Sequence, residues 1–251
     1  MKIFTSSGGC GDSLIVGLKL KKLNLDKESY IWNHYEKHAE HENSINEIID
    51  FLELSGRCYI TNSPYKDAIK LSSVNEVYPA ADQYNINGGY ISSVISGFSE
   101  PYFDISDTTN KQYVIIQTAA GRMKDNTKRI VSPQLIASIC HILPHYRIIL
   151  IGPEKYCSLS NVLNLTGKET NLRQIFKLID NCSLFIGQDG VLSYYSLMIK
   201  KPTIVNYHMS TLVSHYWNEK WRNHSLSYSQ GQIFFDLSQN KNFQNFIKEV
   251  L

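Results

Sequence analysis

The sequence predicts an α/β chain built as two successive parallel-sheet units. Short apolar runs of strand length alternate with amphipathic stretches of helix length along most of the chain, the pattern of strands joined by crossover helices. A polar, turn-rich segment at 99–111, SEPYFDISDTTNK, interrupts that rhythm before a strongly β-branched run opens a second series. Such a segment is where a domain boundary falls. With 251 residues, 43% of them hydrophobic, the chain is long enough to bury two small cores.

In the first unit the pattern predicts a strand at 2–5, a glycine-rich turn at 6–12 and a helix at 13–23 carrying Leu14, Leu18 and Leu20. A strand at 30–33 follows, then a helix at 42–54 with Ile45, Ile48, Ile49 and Leu52 on one face. A strand at 57–61, a helix at 65–71, a strand at 76–78 and a helix at 88–97 complete it. The second unit predicts strands at 113–117, 147–151, 183–186 and 203–206. Its helices are expected at 132–143, with Pro133 in the first turn, and at 171–180, 190–199 and 243–251. Past Met209 the pattern weakens into a polar aromatic stretch. The expected division is an N-terminal unit at 1–109 and a C-terminal unit at 110–232. A final helix within 233–251 is expected to cross back to the first unit. Each unit reads as a Rossmann-like half, with a cleft between them.

The balance of charge is a formal +2, which supplies no electrostatic reason to invoke nucleic acid or a membrane surface. The five cysteines, Cys10, Cys58, Cys140, Cys157 and Cys182, are scattered, odd in number and without a C-x-x-C pair. That usage excludes a disulfide scaffold or zinc module and points to a reduced, cytoplasmic protein. Glycines at 8–11 break the first apolar run, so no signal peptide is expected. No stretch reaches the length of a membrane span.

Four turns between a strand and a helix are candidates for chemistry. Gly8-Gly9-Cys10-Gly11-Asp12-Ser13 lets the backbone turn sharply. Asp12 there reads either as a helix N-cap or as a general base on an acceptor hydroxyl. The loop lacks the Lys-[Ser/Thr] ending of a Walker A motif. Thr118-Ala119-Ala120-Gly121-Arg122, followed by Lys128-Arg129, is a small-residue loop after the first strand of the second unit, where α/β folds bind phosphates. Its cations would meet a leaving diphosphate, or form a solvated basic loop. The stretch Leu165-Thr166-Gly167-Lys168-Glu169-Thr170-Asn171-Leu172 is either a ligand turn or a plain connection. Ile186-Gly187-Gln188-Asp189-Gly190-Val191 places a turn before a helix whose N–H groups would face an anion.

The order of these turns resembles one family. Gly9-Cys10-Gly11-Asp12 before an apolar helix is similar to the N-terminal G-x-G-D signature of the ADP-heptose:lipopolysaccharide heptosyltransferases. Lys128-Arg129-Ile130 resembles that family's Lys-Arg-Trp element. Residues 165–172 resemble its L-x-G-[KR]-T-x-L turn with one extra residue. Gly187-Gln188-Asp189-Gly190, with Lys201-Pro202 further on, resembles its G-N-D-S-G-x-x-H … G-K-P segment. The match covers residues 8–23 and about 113–206.

The resemblance implies a GT-B fold, two facing Rossmann-like domains. It also implies inverting transfer of a sugar from a nucleotide diphosphate donor, with no metal or other cofactor. By position it makes Asp12 the catalytic base. It puts Thr118, Gly121, Lys128, Arg129, Gly167, Lys168, Asp189, Gly190 and Tyr194 on the donor side, and Gly9, Gly11, Ser13 and His34 on the acceptor side. Tyr194 stands where the family has His, Gly190 where it has Ser, and Ile130 where it has Trp. The chain is also short for the family, mostly in the acceptor half. These departures leave the donor sugar open.

Two further clusters read more plainly. His34, His38 and His41 are spaced so that the first two share a helical face, yet no carboxylate completes a metal-binding pattern and the segment reads as a polar linker. His208, His215, Trp217, Trp221 and Arg222 either hold a base or sugar face or close an interdomain surface.

The function these features predict is a nucleotide-sugar-dependent glycosyltransferase acting on a glycan or lipid-linked acceptor. One alternative acceptor is a hydroxymethylated base in DNA. The alternative class is a nucleotide-sugar hydrolase or binding protein on the same scaffold.

Overall fold

The computed structural model of the chain describes residues 2–7, 10–11, 13–14, 17, 30–35, 42–55, 58–61, 69–71, 113–119, 131–153, 162–167, 171–188, 190–199, 201–207, 231–235 and 242–251. Contacts divide the chain into one unit of Met1–Phe98 with Asn171–Arg173 and another of Ser99–Thr170 with Gln174–Leu251.

The first unit holds strands β1 (Lys2–Ser7), β2 (Tyr30–Tyr35), β3 (Cys58–Thr61) and β4 (Ile69–Leu71), with helix α1 (Glu42–Phe51). The strands form a parallel sheet in the order β3-β2-β1-β4. Helix α1 buries Ile45, Ile48, Ile49 and the following Leu52, each at most 3% exposed. Their 3-4-7 spacing is the apolar stripe that faces a sheet. The helix ends where Glu53 turns left-handed at φ 59°. Glu53 N donates to Asp50 O and Leu54 N to Ile49 O, the paired bonds that close a helix C-terminus around a left-handed residue.

Three first-unit expectations change. The segment 65–71 was expected to be helical, but Ile69–Leu71 pairs in parallel with Phe4–Ser6. That edge of β1 needs partners for its backbone groups, and tertiary pairing overrides a short local periodicity. His34 was expected in a linker, yet it lies in β2, in register with Ser6 of β1 and Ile60 of β3. The helix after β1 also starts earlier than Ser13, because Cys10 and Gly11 are already helical. The elements expected at 76–78 and 88–97, and His38 and His41, lie outside the described residues.

The second unit holds β5 (Tyr113–Gln117), β6 (Arg147–Ile151), β7 (Val162–Asn164), β8 (Leu184–Gln188), β9 (Thr203–Tyr207) and β10 (Gly231–Phe235). Its helices are α2 (Pro133–Ile142), α3 (Leu172–Asp180), α4 (Val191–Met198) and α5 (Phe243–Val250). All described strands are parallel, in the order β10-β9-β8-β5-β6-β7. The chain runs outward from β5 through β6 to β7, returns to place β8 on the other side of β5, and runs outward again. This is the strand order of a dinucleotide-binding sheet.

Both faces of the central strands are buried, which is why they read as continuous apolar runs. One face carries Val114, Ile116, Ile148, Leu150, Leu184, Ile186 and Ile204 against Leu135, Ile136 and Ile139 of α2 and Phe243, Phe246 and Ile247 of α5. Alternate residues, Ile115, Ile149, Phe185 and Val205, are buried too, and strand alternation puts them on the other face. Helix α2 begins as its sequence predicts: the Ser132 side chain accepts from Leu135 N at 3.2 Å, with Pro133 in the first turn. Such a cap stabilises by about 1 kcal/mol.

The last helix corrects an expectation. It was expected to cross back to the first unit, but Phe243, Phe246 and Ile247 belong to the core of the second sheet. Strands β7 and β10 were missed. They are the two edge strands of the sheet, and the residues of β7 are only half-buried, so it lacks the apolar run that marks the central strands.

Beneath α3 and α4, a polar cluster ties the amino ends of the central strands together. The Tyr113 hydroxyl donates to Leu178 O at 2.7 Å, and Tyr195 donates to Asp180 Oδ1 at 2.6 Å. Lys201, 6% exposed, donates from Nζ to Cys182 O at 3.3 Å. The Tyr195 ring stacks on Phe176 with centroids 3.9 Å apart. Burial, aided by the nearby Cys182 and Asp180, pushes the Tyr113 hydroxyl up to about 12. Tyr195 is raised by burial first and then by its bond to Asp180. Burial raises the Asp180 carboxyl, opposed by the Tyr195 hydrogen bond and by the charges of Lys201 and Lys177.

Tyr195→Phe therefore lowers unfolding free energy by about 1–2 kcal/mol, because it removes a hydrogen bond to a part-buried carboxylate. The pH dependence has a definite sign. A carboxyl raised on folding contributes stability that is complete below its unfolded value and lost as pH rises through its folded value. Denaturant unfolding of Asp180→Asn from acid to neutral pH should show its stability rising relative to the unmodified chain as pH increases. A constant difference would contradict this assignment.

Candidate functional site at the carboxyl edge of the second sheet

Because every described strand of the second sheet is parallel, their carboxyl ends share one edge, and the loops that follow them gather there. The chain reverses direction across the sheet between β5 and β8. Open α/β sheets bind ligands outside the strand ends at such a reversal. The loops that flank it follow Gln117 and Gln188.

On the β5 side the loop is closed by hydrogen bonds to the next strand. Thr118 N donates to Ile151 O at 2.9 Å, and its Oγ1 donates to the same oxygen at 3.1 Å. Thr118 O in turn accepts from Val131 N at 2.8 Å, just before α2. Gly152, at φ 154°, makes this close approach possible, because a Cβ there would overlap Thr118 Oγ1. One strand further out, Gly167 N donates to Gly152 O at 2.9 Å. Asn164 Oδ1 accepts from both Thr166 N (3.0 Å) and Thr166 Oγ1 (2.6 Å), an Asx turn that starts the connection to α3.

On the β8 side the chain turns at Gly190, with φ 157° and no heavy atom of the described residues within 4 Å of where a Cβ would stand. Tyr194 N donates to Gly190 O at 3.0 Å, the first turn of α4. Ser193 Oγ donates to Gln188 O at 2.5 Å, locking the strand end onto the helix. Gly187 is required beneath, since a Cβ would come within 2.9 Å of Ser193 Oγ. The start of α4 offers backbone N–H groups that a helix leaves without internal partners, beside open space at Gly190.

Of the expected donor-side residues, Thr118 and Gly190 flank the reversal, Tyr194 lies one turn into α4, and Gly167 ends the β7 connection. Thr118 is 1% exposed and its hydroxyl is bonded to Ile151 O, so its side chain shapes the loop rather than facing a ligand. Lys201-Pro202, aligned with the family's later element, lies at the amino end of β9, where Pro202 O accepts from Phe185 N. That segment therefore belongs to the opposite edge.

On the acceptor side, Gly11 is helical and half-buried. Ser13 is fully buried and offers no surface to an acceptor. His34 sits near the carboxyl end of β2. Gly9, Asp12, Gly121, Lys128, Arg129, Lys168 and Asp189 lie outside the described residues, as do His208, His215, Trp217, Trp221 and Arg222. No group of His, Cys, Asp and Glu among the described residues has the arrangement of a metal site.

The residues missed by sequence reading are amides. Gln117, Gln188 and Asn206 stand at or next to the carboxyl ends of apolar strands, in YVIIQ, LFIGQ and TIVNY. An amide closing an apolar run was the available signal. Among the described residues, the titratable groups most shifted by burial sit at the amino edge instead, so they mark the core and not this site.

No protein-family model matches the sequence, and no curated protein matches it. Solved structures do match in fold. The E. coli heptosyltransferase WaaC with ADP aligns with a TM-score of 0.56 and 10% identity, over 100% of both chains. E. coli ADP-heptose lps heptosyltransferase II aligns with a TM-score of 0.56 and 12% identity, over 100% of this chain and 98% of that one. WaaC with ADP-2-deoxy-2-fluoro heptose gives 0.51 and 11% identity, over 99% and 98%.

The chain has a heptosyltransferase-like α/β fold. At these identities the likeness is one of fold. No helix among the described residues is long and apolar enough to cross a membrane.

The carboxyl edge of the second sheet depends on Gly152. Gly152→Ala strains a left-handed backbone and collides with Thr118, so it should lower unfolding free energy by about 1–3 kcal/mol. Hydrogen exchange should quicken at Thr118 and Gly167, whose amides bond to Ile151 and Gly152. Unchanged stability and exchange would contradict the packing described.

Proposed function

We propose that the chain is an inverting glycosyltransferase that moves a sugar from a nucleotide diphosphate sugar to a hydroxyl of a glycan or lipid-linked acceptor, without a metal. One observation carries this reading. The reversal between β5 and β8, flanked by the Thr118 loop and the open Gly190 turn, occurs in a fold shared with heptosyltransferases, one solved with ADP.

Chemically, the departing nucleoside diphosphate gathers negative charge as the glycosidic bond breaks. The N–H groups at the start of α4, with Lys128 and Arg129, stabilise that charge. Asp189 and Gly190 take the role of holding the donor, and Gly121, Gly167, Lys168 and Tyr194 serve on the donor side with them. Asp12 takes the proton of the acceptor hydroxyl as its oxygen attacks the anomeric carbon from the face opposite the leaving group. Gly9, Gly11 and His34 belong to the acceptor side. Ser13 has no part in it, given its burial. With Tyr194 in place of the family's His and Gly190 in place of its Ser, the donor need not be ADP-heptose.

Purified protein offered a panel of nucleotide sugars with glycan and lipid-linked acceptors should release nucleoside diphosphate and yield glycosylated product. Asp12→Ala should reduce turnover by at least about a hundredfold, the usual scale for losing a general base, while donor affinity holds. Full turnover in that variant would overturn the base assignment. Donor cleavage with no acceptor product would overturn transfer itself.

A further inference from the structure

The ladder between β5 and β8 ends at Ile116 and Ile186, whereas the one between β8 and β9 continues to Gln188 and Asn206. The two central strands thus stop pairing one step before the reversal opens. A side chain spans the gap. Gln117 Oε1 accepts from Gln188 N at 3.2 Å, and Gln117 Nε2 donates to Ala119 O at 3.1 Å. One carboxamide therefore holds both the loop after β5 and the last residue of β8.

Gln188 continues the connection. Its Oε1 accepts from Asn206 Nδ2 at 3.2 Å, and its backbone oxygen accepts from Ser193 Oγ. The residue is 1% exposed, and its Nε2 has no hydrogen-bond partner among the described residues. A buried donor without an acceptor weakens a fold. A methionine would fill similar space and remove that donor, giving up the bond from Asn206 Nδ2 in exchange, so packing alone does not account for the amide.

We propose that Gln117 and Gln188 are positioning residues for an anionic ligand at the reversal: the Gln117 carboxamide ties the loop after β5 to the last residue of β8, and the Gln188 carboxamide anchors that residue to β9. The ligand class, a nucleoside diphosphate, rests on the function proposed above. A methionine at 117 fills the volume but cannot hold the loop after β5 to the end of β8, and a methionine at 188 cannot anchor that end to Asn206.

The test uses the full chain and its Gln117→Met, Gln117→Glu and Gln188→Met variants. Calorimetric titration with ADP, UDP, GDP and CDP is paired with thermal melting and amide hydrogen exchange. Gln117→Met should weaken the preferred diphosphate about tenfold or more, the scale of a misplaced binding group. It should speed exchange at the Gln188 amide while the amides of Ile115 and Ile186 stay protected. Gln117→Glu keeps the acceptor for Gln188 N–H and should restore slow exchange there. Gln188→Met, which removes the unpartnered Nε2 together with the acceptor for Asn206 Nδ2, should shift the melting temperature little while weakening the diphosphate.

Affinity that falls only in step with melting temperature would show a purely structural role and overturn the proposal. Unchanged affinity and exchange would overturn it as well. Should the unmodified chain bind none of the four nucleotides, the proposed function fails on its own account. Exchange then decides the clamp: faster exchange confined to Gln188 in Gln117→Met, reversed in Gln117→Glu, supports it, and any other pattern refutes it.

Discussion

The second sheet depends on the pairing of β5 with a neighbour on each side. Val114, Ile115 and Ile116 are fully buried and share ladders with β6 and β8. A central parallel strand satisfies its backbone groups only through both neighbours and must be covered on both faces. Those demands account for the helices above and below it and for the chain's reversal across the sheet. The reversal then parts the loops that follow β5 and β8. The candidate site is a consequence of how the sheet is wound rather than an addition to it.

The two edges of this sheet divide the work. At the amino edge, Tyr113, Asp180, Tyr195 and Lys201 anchor α3 and α4 through hydrogen bonds that are buried or part-buried. Buried polar groups that are bonded in this way rigidify a core. At the carboxyl edge, the bonds are between loops: Thr118 to Ile151, Gly167 to Gly152, Gln188 to Gln117. These order backbone rather than fill volume, leaving space at Gly190. A rigid sheet that presents ordered loops suits a site whose groups must be in place before a ligand arrives.

Much of the second unit was legible in the sequence, for physical reasons. Residues 114–116 and 148–151 are continuous apolar runs because both faces are buried, and the predicted bounds 113–117 and 147–151 coincide with β5 and β6. Ser132 and Pro133 announce α2 because a cap and a restricted φ have sequence signatures. Edge strands β7 and β10 gave no comparable signal, and 69–71 became a strand because β1 needed a partner at its edge. Of the candidate site, the glycine turns could be read because backbone geometry requires them. The amides of Gln117 and Gln188 could not, since their roles come from a register visible only in three dimensions. Ser13 shows the converse: a polar residue beside a glycine motif that folding buries.

The central claim is that the reversal between β5 and β8 is where a nucleotide diphosphate binds. A crystal structure of the chain soaked with its preferred nucleoside diphosphate tests it most directly. The diphosphate should lie at the carboxyl edge of the second sheet, between the loop after Gln117 and the N–H groups opening α4, next to Gly190. A nucleotide bound away from that edge, with the Gly190 turn left empty, would contradict it.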